Sequence, residues 1–230
     1  MTPLLFDPDR HTALTDRAWD EAAARTAIEA IVKDARVSMT PQGLWPLHPD
    51  DTEPGETEPH CQLYFGAAGV VLGLSELARR GFCESAAADQ KCLPFLLDRN
   101  RRTLSSKPWR DLLGAGWQTR SWLMGDAGIL FVQWRLTGER QVLDALEKVL
   151  TINNADPSNE MMWGAPGTLL ASLLLQNETR EARWSRASNA PPFRSQRAGL
   201  SISTARNAAT LVWATALPAQ RFPCSRAGVS

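Results

Sequence analysis

Two carboxylates stand where they could do acid–base chemistry. Asp126 lies inside the string Gly125-Asp-Ala-Gly128, and Glu160 lies four residues before Gly164 in Glu160-Met-Met-Trp-Gly-Ala-Pro-Gly167. Both fall at expected turns between helices, at one end of the fold. A carboxylate there can take or relay a proton, or it can serve only to favour a helix N-terminus through the dipole. A pair of carboxylates could also hydrolyse a glycoside, a reading that fold analogy alone would carry.

The thiols and imidazoles do not fall into a working pattern. His60 and Cys61 are adjacent, Cys83 and Cys92 are nine residues apart, and Cys224 is followed by Ser225. No Cys-x-x-Cys or His-x-x-x-His occurs, so the usual zinc templates are unmet. His60-Cys61 reads as a loop pair ahead of a buried helix, and Cys83 and Cys92 as reduced thiols. The phosphate-binding glycine patterns, Gly-x-Gly-x-x-Gly after a strand or Gly-Lys-Ser/Thr, are absent too. Trp109, Trp117, Trp122, Trp134 and Trp163 could line a sugar or peptide cleft, or fill a core.

The elements that must position these groups come from a repeat. Leu63-Tyr-Phe-Gly-Ala-Ala-Gly-Val70, Trp122-Leu-Met-Gly-Asp-Ala-Gly-Ile129 and Met161-Met-Trp-Gly-Ala-Pro-Gly-Thr168 share one frame. Each is an apolar triplet, then Gly-x-[Ala/Pro]-Gly, then an apolar run. The glycine pairs are Gly66 and Gly69, Gly125 and Gly128, and Gly164 and Gly167. Glycine there permits a sharp turn or close packing, and Pro166 suits a first helical turn. The runs after the glycines are rich in Leu and Ala and hardly alternate, so they read as helices buried nearly all round. Between them lie amphipathic helices. Glu139–Ile152 carries Val142, Leu143, Leu146, Val149 and Leu150 on one stripe. Asp16–Val37 carries Trp19, Ala23, Ala27, Ala30, Ile31 and Ala35 on another. Alternating inner and outer helices describe an all-α barrel or solenoid.

Composition limits the partners. The chain of 230 residues has 25 basic and 25 acidic side chains, so nucleic acid and anionic membranes are not expected partners. No run approaches the roughly 18 apolar residues of a membrane span, and the N-terminus lacks the basic-then-apolar pattern of a signal peptide. A cytoplasmic location is expected. The charge balance is uneven along the chain. Residues 182–230 hold seven Arg and no acid, which leaves 18 basic and 25 acidic groups in residues 1–181. This Arg/Ser/Ala-rich tail reads as disordered or non-native, or as a basic segment for an acidic partner.

The three glycine motifs, with Trp45-Pro-Leu-His-Pro-Asp50 and Glu181-Ala-Arg-Trp184, resemble the lanthionine synthetase C-like (LanC-like) proteins, the bacterial subgroup most closely. The resemblance spans about residues 5–184. It implies an α/α toroid, of which residues 1–181 would be a part carrying three inner helices. It also implies a peptide or thiol substrate and zinc-dependent addition of a thiol to a dehydroamino acid. The family's zinc sits on two Cys and one His in Trp-Cys-x-Gly and Cys-His-Gly contexts, and neither string occurs here. The expectation for this chain is therefore no metal and no cyclase activity. Glu160 matches an acidic position that lies near the zinc in the family, so a catalytic Glu160 is what the resemblance implies. A non-catalytic peptide-binding scaffold and a carbohydrate-active toroid are the alternatives. The oligomeric state is left open.

Overall fold

The computed structural model describes residues 18–48, 57–113, 119–156 and 158–180. The expected tail, 182–230, and Trp117 lie outside the described residues. Seven α-helices occur, with no strand among the described residues: α1 Glu21–Val37, α2 Ala67–Arg79, α3 Leu93–Leu104, α4 Lys107–Leu113, α5 Asp126–Thr137, α6 Arg140–Asn153 and α7 Ala165–Thr179. A short 3-10 turn, Ala87–Gln90, joins α2 to α3. No helix among the described residues is long and apolar enough to cross a membrane.

The inner helices are the three that follow glycine motifs. They lie in the order α2, α5, α7, with α3 and α6 packed behind α5. Central α5 has seven consecutive buried residues, Asp126 to Val132. Each large apolar side chain in that run contributes about 1.5–3 kcal/mol by leaving water. Gly138 ends α5 in the left-handed region, φ 69°, and lets the chain reverse at once into α6. As expected, α6 buries Leu143, Leu146 and Leu150. At the far ends of the inner helices Arg135 of α5 sits between Glu76 of α2 and Glu178 of α7, with the Glu178 pair at 2.9 Å. One guanidinium thus ties all three.

The outermost element differs from the sequence reading. Trp19 precedes the Asp20 cap of α1, is not part of the helix and is exposed. The inward side of α1 is Ala24, Ile28, Val32 and Ala35, of which Val32 alone is buried. The expected stripe of Ala23, Ala27, Ala30 and Ile31 faces solvent, and Ile31 is 64% exposed. Alanine occurs on several sides of this helix and widens its apolar stripe, so the pattern leaves the centre of the buried face open. Polar anchors do: Arg36 pairs with Asp89 at 2.8 Å, and Trp45 Nε1 donates to the Ala35 carbonyl at 2.6 Å.

Candidate functional site

The three motifs fold alike. Each apolar triplet forms a turn, and each first glycine caps the next helix in an extended conformation that any residue adopts (φ −119°, −117° and −94°). Glycine is required for space. A Cβ on Gly66 would lie 2.5 Å from the Gln62 nitrogen, and one on Gly125 2.6 Å from the Ser121 nitrogen. A Cβ on Gly69, Gly128 or Gly167 would strike the carbonyl oxygen of Leu63, Trp122 or Met161, the first triplet residue in each case.

The turns also bind one another. Tyr64 N–H donates to the Leu123 carbonyl at 3.0 Å, and Leu123 N–H to the Met162 carbonyl at 3.4 Å. These are the middle residues of successive triplets, so the three motifs stand side by side in register. Two buried asparagines on outer helices pin the turns from behind. Asn100 of α3 donates to the Met124 carbonyl at 3.0 Å, and Asn153 of α6 to the Trp163 carbonyl at 3.1 Å. Met124 and Trp163 each precede the first glycine of their motif. Sequence reasoning missed both asparagines, because their spacing to the turn differs between the repeats.

Glu160 is the cap of the third turn. Its carboxylate accepts from the N–H groups of Met162, Trp163 and Gly164 at 2.7, 2.6 and 3.0 Å. These donors belong to the turn, so Glu160 satisfies the turn rather than the dipole of α7. Asp126, by contrast, is buried. Its Oδ2 accepts from Arg101 Nε and Nη2 at 2.9 and 2.8 Å, while Oδ1 has no partner among the described residues. Burial pushes its carboxyl above the usual range, against the pull of Arg101. Glu160 thus sits in solvent with its carboxylate bonded to the turn, and Asp126 is buried against Arg101.

The thiols are equally committed. Burial raises Cys61 to about 12 and Cys92 to about 11, so neither forms a thiolate near neutral pH. Cys83 is half-buried beside Lys33 and Arg36 in an open groove of 440 Å³ between α1 and Phe82. A zinc site of the LanC-like kind does not fit these residues. Among the described residues no three His, Cys, Asp or Glu side chains converge.

Aromatic side chains stand exposed at the first turn. Tyr64 is 61% and Phe65 38% exposed. Their rings meet edge-on at 5.5 Å, His60 stacks edge-on against Phe65 at 4.6 Å, and Trp109 of α4 lies 6.2 Å beyond His60. His60 is buried and leaves Phe65 and half-buried Trp109 as an apolar ledge with Tyr64 at its rim. Of the other tryptophans singled out above, Trp122 is buried against Phe131 at 5.1 Å, and Trp134 packs on the same ring. Compared with protein-family models, curated proteins and solved structures, the chain matches none of them.

Proposed function

We propose that this chain is a non-catalytic peptide-binding scaffold with a LanC-like arrangement of helices, a partial α/α toroid formed by residues 1–181. The observation that carries the reading is the ledge of Tyr64, Phe65 and Trp109 beside three turns held in register. Aromatic rings bring large contact area at low entropic cost and suit an extended peptide. The groups a thiol-adding enzyme would need have other work: Glu160 caps a turn and the Cys61 and Cys92 thiols are protonated. The working location in this reading is the cytoplasm.

The test uses a fluorescently labelled peptide that carries one Cys and one dehydroalanine, mixed with the full chain and zinc. Binding should appear as a rise in anisotropy, while the peptide's thiol titre stays at the uncatalysed rate. Tyr64→Ala and Phe65→Ala should each weaken binding by about 5–30-fold, the loss of about 1–2 kcal/mol of aromatic contact. Accelerated thiol loss, or affinity unchanged in both variants, would overturn the scaffold reading.

A further inference from the structure

The repeats bury one another by a fixed rule, and the two ends of the array, as far as the described residues go, break it in opposite ways. The seventh residue after the first glycine is Val132 in repeat two and Ala171 in repeat three, and both are fully buried. In repeat one it is Gly73, which is exposed and has nothing among the described residues within 4 Å of where a Cβ would stand. The fourth residue behaves alike: Ile129 and Thr168 are buried, whereas Val70 is only half-buried. This side of each inner helix faces the preceding repeat, because a Cβ on Gly128 would meet Leu63 and one on Gly167 would meet Trp122.

The opposite side is covered in the two repeats that a described repeat follows. Ala67, Ala68 and Val71 of repeat one are buried, as are Ala127 and Leu130 of repeat two, while Asp126 turns to Arg101 of α3. Their counterparts in repeat three, Ala165, Pro166 and Leu169, are half-buried. Met161, the counterpart of buried Trp122, is 42% exposed. The backbone repeats the asymmetry. Tyr64 and Leu123 each donate an N–H to the next repeat, but the Met162 N–H goes to the Glu160 carboxylate.

We propose that these two edges bind each other between two copies of this chain, head to tail. The edge at repeat three presents what repeats one and two present to their successors. The edge at repeat one presents what repeats two and three present to their predecessors. The intermolecular contact continues the internal one: Met161 seats on Gly69, Leu169 and Pro166 cover Gly73, and the Tyr64 carbonyl of the second copy replaces Glu160 on the Met162 N–H. Such an interface is heterologous, so each copy keeps one free edge until a ring closes or a filament grows. The inference does not rest on the peptide reading.

The test is the mass of the full chain in solution, by light scattering after gel filtration over a range of concentration. Gly73→Trp blocks the first edge and Met161→Glu the third. Both sites are exposed in the single copy, so helicity by circular dichroism should be unchanged. Leu169→Glu serves as a second third-edge variant. The wild-type mass should rise with concentration above the 25.3 kDa of one chain, and each variant alone should stay monomeric, its affinity reduced at least tenfold. Mixing Gly73→Trp with Met161→Glu or Leu169→Glu should restore a single heterodimer and nothing larger, since each variant contributes its one intact edge. A wild-type chain monomeric at every concentration, because other residues or a foreign partner cover the edges, would overturn the proposal. So would variants that self-associate like wild type, or mixtures that stay monomeric.

Discussion

Replacing Gly128 by Ala and Gly73 by Ala changes the same atoms at two sites with opposite surroundings. At Gly128 the new methyl would lie 2.7 Å from Leu63 Cβ and 3.1 Å from Leu63 Cδ2, and closer still to the Trp122 carbonyl oxygen. Carbon atoms rest at about 3.5–4 Å. The oxygen belongs to backbone held by the ladder of turns, so it cannot rotate away. Overpacking of this kind costs about 1–3 kcal/mol or more, set against a helix-propensity gain below about 1 kcal/mol. At Gly73 nothing among the described residues lies within 4 Å, and the residue is mid-helix without positive φ. There the methyl should add about 0.4–1 kcal/mol, chiefly by restricting the unfolded chain. Urea unfolding followed by far-ultraviolet circular dichroism should therefore place the two variants on opposite sides of wild type, about 1–4 kcal/mol apart. In melting temperature, at about 2–4 °C per kcal/mol for a chain of this size, the gap is about 2–16 °C. A Gly128→Ala variant within about 0.5 kcal/mol of wild type, the range of ordinary surface substitutions, would refute the argument that these glycines are fixed by close approach.

Three further outcomes follow from the same geometry. Asn100→Ala and Asn153→Ala should each cost about 1–3 kcal/mol in urea unfolding, because each strands a buried turn carbonyl; a neutral result at both would remove the asparagines from the repeat. Asp126 holds its proton more tightly folded than unfolded, so its share of stability is complete below about pH 4 and is lost as pH rises through the folded value. Urea midpoints of wild type and Asp126→Asn across pH 3–7 should show the wild type losing ground as pH rises, and the reverse trend would mean that Arg101 outweighs burial. Thiol labelling at pH 8 read by peptide mass spectrometry should reach Cys83 well before Cys61 and Cys92, whose thiols burial keeps protonated; equal rates would contradict their burial.

The repeat was legible in the sequence because its requirement is local. A triplet turn packed onto the first helical turn leaves no room for a Cβ at two fixed positions, so Gly66, Gly69 and their counterparts recur in one frame wherever the turn is built. The inner helices were legible for a related reason: a helix such as α5, buried on every side, cannot carry a polar stripe. The stripe of α6 was equally plain, since it borders water on one side only. What sequence left open was settled by partners distant along the chain. Alanine on several sides of α1 left the centre of its stripe open, and Arg36 with Asp89, fifty-three residues away, fixes the face that carries Ile28 and Val32. Glu160 could have capped a helix or moved a proton, and the path of the chain folded it onto its own turn. Asn100 and Asn153 perform one task from 24 and 10 residues upstream, a distance that is constant in space and variable in sequence. Spacing encodes what the backbone must do within a turn or two of itself. Which buried polar group meets which depends on packing between segments that only the folded chain brings together.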